Sequence, residues 1–438
     1  MRILFVVVGI LALLEAGVAA AYLTKRRMAD QPFVDLLENL YVLRPFRGYF
    51  PDQYTFPSEL RPLLKGETTS PATLRRNVLA DPLLGHRLAP NSLVVEETWT
   101  WYATNAQGFT ITDPEAPLAV YAVPKPTGTV RIVMLGGSTV HGDGASGSLH
   151  ALPAELLRTL REGYLPARDN QTRFEVINAG VGGYTSQQEL LYYLSELRLF
   201  EPDLVIAYDG WNDFQRVTSL LSGGGARYPW LRNESTDRQR SILNSYYTWS
   251  GTAVAFAQRT VSRTRELLDG VALVHVLRRA ISAATAPTAA AAADLRPVTD
   301  ELLPLIPEAV RRYEANTSIL AGAVTSSGAS FAWFLQPLVG VGNKIPAEIG
   351  RERSILQSRP NDIARRQIFY SLARAAQSTF KNQAGDAKTC AADLSDVFDG
   401  NDAPVFEDSG HLYDPGNVIV ANRIAQELER CGFVAQRP

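Results

Sequence analysis

A doubly wound, parallel α/β sheet with an N-terminal extension and a helical insertion is the fold class that this 438-residue chain predicts. Three observations carry the expectation. Short, almost unbroken apolar runs recur at 131–135 (RIVML), 174–179 (FEVINA), 202–209 (PDLVIAYD) and 330–337 (SFAWFLQP), as strands covered on both faces require. Stretches with apolar residues at helical spacing separate them, so that strand alternates with helix. The composition, 46% hydrophobic, supplies the side chains for two helical layers around one sheet.

Taken in order, the chain begins with ILFVVVGILALL (3–14), apolar throughout after Met1 and Arg2, followed by EAGVAAAYL. Read to Leu14, this is a signal-peptide core with small residues for cleavage near Ala20 or Ala21. Read to Leu23, it is roughly 20 residues, enough for one membrane span. Glu15 disfavours the span, whereas KRR at 25–27 is the positive flank of a cytoplasmic end. The expectation for 1–27 is export, by a cleaved signal or a retained transmembrane anchor, with an extracytoplasmic location in the periplasm or at the cell surface. A cytoplasmic domain on a membrane tether is the alternative.

Residues 28–70, rich in Pro, Tyr and Phe, read as extended chain, and the alternation from Val94 to Tyr102 predicts a strand followed by a turn at NAQG. Residues 28–125 thus form an N-terminal region packed on a main domain at 126–438, with VPKPTG (123–128) breaking the chain between them. Helices are expected at 149–163, 186–200, 361–380 and 417–430. The stretch 214–328 reads as a mostly helical insertion containing the low-complexity AATAPTAAAAADL (283–295).

A net charge of −2 and a pI near 6.3 give no general attraction to nucleic acid, so no nucleic-acid partner is expected. The two cysteines, Cys390 and Cys431, lack metal-site spacing. They are two buried thiols or, in an exported domain, one bridge pinning the last helix. No metal and no cofactor is expected.

The chemistry concentrates at RIVMLGGSTVHGDGASG (131–147). Its serine is either a nucleophile or part of a phosphate cradle, because GDGASG spells G-x-G-x-x-G after a strand. That glycine motif starts six residues after the strand's first glycine, and the second strand ends at Asn178 without the acid that a ribose needs. The nucleophile reading is therefore preferred. In open parallel sheets the working groups collect beyond the carboxyl ends of the strands. The first three core strands end in GGST, NAGVGGYTSQQ and DGWNDF, which would bring Ser138, Gly183, Asn212 and Asp213 to one edge. Taken alone, Asn212 and Asp213 fit an ordinary helix cap, and Trp211 and Tyr184 fit either a groove lining or the core.

A serine needs a base. Of the five histidines, His86, His150 and His275 carry no accompanying chemical signal, and His141 shares the serine's own turn with no evident carboxylate to orient it. His411 lies in EDSGHLYDPGN with Asp408 three residues upstream, a spacing at which one turn can hold a carboxylate against the imidazole. Glu407 and Asp414 are lesser candidates for the orienting role.

Together, GGST, NAGVGG, GWND and DSGH, in that order over roughly 131–430, resemble the blocks of the SGNH (GDSL-type) hydrolase family. The resemblance implies a three-layer, flavodoxin-like α/β/α domain and a serine esterase. Ser138 would be the nucleophile and His411 the base, oriented by Asp408. The oxyanion would be held by the backbone N–H groups of Ser138 and Gly183 and by the Asn212 amide. It also implies an ester-bearing substrate, with acetyl esters of surface polysaccharides the first guess. Acyl transfer to a sugar hydroxyl and a non-catalytic binding or assembly module are the alternatives. One departure stands out: the family commonly carries Asp immediately before the nucleophile, where this chain has Gly137.

Overall fold

The computed structural model describes residues 60, 63, 78–95, 101–166, 173–222, 302–347, 352–358, 360–384 and 388–437. Ahead of the core lie β1 (Val78–Asp81), β2 (Gly85–Leu88), β3 (Leu93–Val95) and β4 (Trp101–Ala103). The core follows as β5 (Thr129–Gly136), α1 (Ser138–His141), α2 (Leu152–Gly163), β6 (Tyr164–Pro166), β7 (Arg173–Asn178), α3 (Ser186–Ser195), β8 (Leu204–Asp209) and α4 (Trp211–Ser222). After residue 301 come α5 (Ile306–Ser326), β9 (Ser330–Leu335), α6 (Glu352–Ser358), α7 (Pro360–Ala384), β10 (Thr389–Asp393), α8 (Asp414–Arg430) and β11 (Val434–Gln436).

Five of these strands form one sheet in the order β10-β9-β8-β5-β7, with every neighbouring pair parallel. Numbered along the chain, this is the flavodoxin-like 2-1-3-4-5 order, whose switch point lies between its first and third strands. Here those are β5 and β8, the strands that run into Ser138 and Asn212. The predicted doubly wound α/β fold is present.

Strand periodicity divides the core into two faces. On one side Ile132, Met134, Ile206 and Phe334 pack against Leu156 and Leu160 of α2 and against Val420, Ile424 and Leu428 of α8. On the other, Val133, Leu135, Val205 and Trp333 pack against Leu190 of α3, Tyr313 of α5 and Phe369 of α7. Local sequence explains the helices. Helix α2 has a proline in its first turn, an acid near its start and Arg161 near its end. Helix α3 begins with a Thr185–Gln188 capping box.

The structure corrects several sequence expectations. The alternation from Val94 to Tyr102 is not one strand: β3 and β4 pair antiparallel, with Leu93 opposite Ala103 and Val95 opposite Trp101. A fifth sheet strand, β10 (TCAAD), supplements the four expected, and the helix expected at 186–200 ends at Ser195, followed by a 3₁₀ turn at Leu197–Phe200. The end of the 214–328 stretch is α5, which precedes β9 and buries Ile306, Tyr313, Leu320 and Val324 in the sheet core. Residues 1–59, including the expected signal or anchor, and the low-complexity 283–295 lie outside the described residues. Among those described, no helix is long and apolar enough to cross a membrane.

Two features tie the margins down. The Thr112 and Tyr121 hydroxyls both donate to the Val176 carbonyl, at 2.7 and 2.9 Å, which covers the outer edge of β7. Cys390 on β10 is bridged to Cys431 at the end of α8, closing a separation of 41 residues. A loop of that length corresponds to about 4 kcal/mol of denatured-state entropy.

At the end of β8, Asp209 is 2% exposed and Glu189 of α3 is fully buried. Burial, reinforced by the Asp213 charge, pushes Asp209 up to about 7, and burial beside Asp209 raises Glu189 as well. A carboxyl raised in the folded state costs nothing below its unfolded pKa near 4, destabilises increasingly as pH climbs toward the folded value, and costs the full amount above it. Asp209→Asn is therefore expected to change stability relative to the native chain more favourably at about pH 8.5 than at about pH 4.5, by about 1–3 kcal/mol. Urea midpoints at the two pH values measure this difference, and equal differences would refute it.

Candidate active site

Strand β5 delivers Ser138 directly into the single turn α1. Two loop amides fold back over that turn, Gly142 N–H and Asp143 N–H both donating to the Ser138 carbonyl at 2.9 and 3.0 Å. The following loop is not a cradle. Gly142 and Gly144 have φ of +117° and +93°. A Cβ on Gly144 would stand 2.8 Å from Leu412 O and 3.1 Å from both Glu407 Oε2 and the His411 Cβ. These glycines let the serine loop close against the histidine loop.

That second loop precedes α8. Glu407 N–H donates to the His411 carbonyl at 2.9 Å, which folds 407–411 into a tight reversal. Asp408 Oδ1 accepts the backbone N–H groups of Gly410 and His411, both at 2.9 Å, and its Oδ2 accepts from His411 Nδ1 at 2.8 Å. The opposite ring nitrogen, Nε2, accepts from the Ser138 hydroxyl at 2.7 Å. Ser138, His411 and Asp408 thus form one continuous chain of hydrogen bonds.

Burial alone would raise the Asp408 carboxyl, but the His411 bond and charge and the two backbone donors bring it down to about 2. Burial of His411 opposes its charge. The Asp408 bond and charge, with Asp143 and Glu407 beyond, outweigh this and raise its pKa above the ordinary imidazole value. The ring of Trp211 meets His411 edge-on with centroids 4.8 Å apart. Buried Arg366 of α7 donates to Ser409 Oγ at 3.0 Å, bracing the loop from behind. Asp414 is turned to the serine loop: its carboxylate accepts Ser146 N–H at 2.8 Å and Ser146 Oγ–H at 2.6 Å, stapling the two loops together.

The glycine and asparagine blocks converge on the same place. Asn212 Nδ2 donates to the Tyr184 carbonyl at 2.7 Å, next to Gly183 in sequence. The same amide sits over Gly137, where an added Cβ would overlap it. One Asn212 hydrogen is thereby used, and a primary amide has a second. Asp213, in the first turn of α4, also reaches across to α3. Its carboxylate accepts Ser186 N–H at 3.1 Å and Ser186 Oγ–H at 2.7 Å, holding the start of α3 against the β8 turn. Tyr184 is fully buried core.

The N-terminal extension reaches both loops, a role its sequence did not announce. His86 of β2 donates from Nε2 to the Gly182 carbonyl at 2.9 Å, and the Tyr184 hydroxyl donates to the His86 carbonyl at 2.5 Å. In a trans peptide the N–H opposes the carbonyl, so the Gly183 N–H points away from His86. Gly183 itself has φ +80°, which favours glycine. On the serine side, Tyr102 packs on His141 with ring centroids 4.9 Å apart, and Ala103 N–H donates to Ser148 Oγ at 2.9 Å. His141, set aside in the sequence for want of a carboxylate, has one: its Nδ1 donates to Asp143 Oδ1 at 2.6 Å. Among the described residues no group of three or more His, Cys, Asp or Glu side chains is arranged to hold a metal ion.

No family model matches the chain, and no curated protein matches its sequence. Among solved structures it is similar to a catalytic mutant of an acetylxylan esterase from Geobacillus stearothermophilus, at 14% identity and a TM-score of 0.36, covering 69% of this chain and 94% of that one. It is also similar to a two-domain esterase active on acetylated mannans, at 14% identity and a TM-score of 0.32, covering 69% of this chain and 49% of that one. An acetyl xylan esterase is similar at 13% identity and a TM-score of 0.34, covering 68% and 98%. Activity has to be read from the side chains themselves.

A Cβ on Gly137 would overlap the Asn212 amide, so this position has no room for a side chain. Gly137→Asp is expected to displace Asn212 and to cost about 1–3 kcal/mol by overpacking. Thermal unfolding and a crystal structure of the variant test this, and an unmoved Asn212 in an equally stable protein would contradict it.

Proposed function

We propose that this chain is an extracytoplasmic serine esterase of the SGNH type, removing an acyl group from a carbohydrate or another small ester. The observation that carries the reading is the chain of bonds from Asp408 through His411 to the Ser138 hydroxyl, at 2.8 and 2.7 Å. The acetyl group and the surface-polysaccharide substrate come from the motif resemblance. The Cys390–Cys431 bridge supports an oxidising compartment.

In this mechanism His411 Nε2 takes the Ser138 proton as Oγ attacks the ester carbonyl. Asp408 stays ionised, fixes the tautomer and stabilises the imidazolium. Negative charge on the carbonyl oxygen is met by the N–H groups of Ser138 and Gly183 and by the remaining Asn212 hydrogen. Collapse breaks the bond to the alkoxide, which takes the proton from His411 Nε2 and leaves as the alcohol. Water then repeats the sequence, releasing the acid and restoring the serine. The His86 bond to the 182–183 peptide supports the Gly183 role, because it fixes the direction of that donor before substrate arrives.

Ser138→Ala and His411→Ala are expected to remain folded and to lose about 10⁴-fold or more in turnover, while Asn212→Ala loses about 10²–10³-fold. Release of acid from 4-nitrophenyl acetate and covalent labelling by a fluorophosphonate measure this. Labelling that survives in Ser138→Ala defeats the reading, and near-normal hydrolysis by His411→Ala would move the base to His141. An added sugar that diverts acetyl from water to a new ester would change the assignment from hydrolase to acyltransferase.

The reaction requires neutral His411. Because its pKa is raised, kcat/KM is expected to fall on the acid side with a midpoint above about 6.5. A midpoint below that value in the pH–rate profile would contradict the geometry.

A further inference from the structure

Asp143 has no part in the mechanism above, yet it lies beside it. Its Oδ2 is 4.0 Å from His411 Nε2, the nitrogen that holds the serine. Three constraints keep it there. Its backbone N–H is bonded to the Ser138 carbonyl. The glycines on either side take positive φ, and the second abuts the His411 loop. Its Oδ1 is held by His141 Nδ1 at 2.6 Å.

His141 is itself immobilised, 7% exposed and packed on Tyr102. The tautomer that donates from Nδ1 leaves a lone pair on Nε2, an atom with no hydrogen-bond partner among the described residues. His141 is thus built to hold a carboxylate. The Asp143 side chain remains 38% exposed, so it also faces whatever enters the site.

We propose that Asp143 is a positioning and specificity-determining residue: a second carboxylate, facing the Nε2 edge of His411 and clamped by His141, that selects uncharged acyl groups over anionic ones. The inference rests on the esterase reading. When the serine proton moves to Nε2, the cationic ring lies between Asp408 at Nδ1 and Asp143 at the opposite edge, and both favour it. Among the described residues the other ionisable group acting on His411 is Glu407, on its own loop, and from α4 the uncharged Trp211 ring meets it edge-on. The same exposed charge repels a carboxylate on an acyl chain approaching Ser138, whereas acetyl carries none.

The test uses the full chain and two esters, 4-nitrophenyl acetate and the mono-4-nitrophenyl ester of succinate. Asp143→Asn keeps the size and an acceptor for His141 while removing the charge. The expected result is an acid limb of kcat/KM shifted to lower pH, with the preference for acetate over succinate reduced about tenfold. A residue that only braces the loop would slow both esters alike and leave the limb in place. In the native chain, raising salt from about 0.02 to about 0.5 M should narrow the same preference by screening. An unmoved limb with an unchanged ratio, or a salt-independent preference, overturns the proposal.

Failure of the underlying reading looks different. In that case the native chain hydrolyses neither ester and takes no fluorophosphonate. NMR titration of His411 in Ser138→Ala, with and without Asp143→Asn, still decides the placement: loss of the carboxylate should lower the His411 midpoint, and an unchanged midpoint rejects it.

Discussion

The bond between Ser138 and His411 joins positions 273 residues apart, and its geometry depends on where two elements stop. Strand β5 ends at Gly136 and α8 begins at Asp414, so each side chain sits within a few residues of a rigid end. The parallel sheet fixes the first end, because β5 is paired on both sides, with β7 and β8. Packing of α8 on α2, which itself follows the serine loop, fixes the second. A contact this remote in sequence holds only if the layers between are well packed, and the fully buried Met134, Leu156, Val420 and Ile424 supply that packing.

Close approach between loops then explains residue types that local structure does not demand. Gly144 permits the serine loop to touch the histidine loop, and Ser146 with Asp414 adds a staple beside it. Gly137 is kept small by Asn212, whose amide occupies the space a side chain would need. The asparagine is in turn fixed by the Tyr184 carbonyl, and the neighbouring Asp213 holds the start of α3. Each strand-end loop is thus braced by the next one, and the extension braces two of them through His86 and Tyr102. A site assembled this way needs little reorganisation when charge develops, which is the condition under which oxyanion donors are effective.

Most of the sheet was legible because both of its faces are covered, which makes strands such as LVIAYD almost purely apolar. Strand β10 escaped because TCAAD has no branched or aromatic residue after its threonine, and its small side chains make room for the helices above and below. The β3–β4 pairing was hidden because periodicity alone cannot tell one strand from two that pair antiparallel. In the candidate site, Ser138 was visible as a motif at a strand end, and Asp408 and His411 as a pair in the polar loop before the last helix. The orienting partner of His141 was overlooked although Asp143 is only two residues away, since a local His-x-Asp acquires meaning only when the chain folds back on itself. His86 carried no sequence signal, because its partner is a backbone carbonyl.

Acid–base demands of His411 and of the carboxyls at the end of β8 pull in opposite directions. In the proposed reaction His411 would act as a base only above its raised pKa, which favours the less acidic side of that value. Asp209, three residues before Asn212, is buried in a setting that resists its ionisation until about pH 7. The range in which the base is free is therefore the range in which the turn carrying Asn212 begins to accommodate a buried charge. Glu189, buried beside Asp209, is raised as well, so the pair resists carrying two charges at once. Asp213 occupies the remaining corner, with Ser186 donating twice to it. The polar cluster at the end of β8 is thus held at some cost in stability, and the Asp209 share of that cost has built up in full above its raised value.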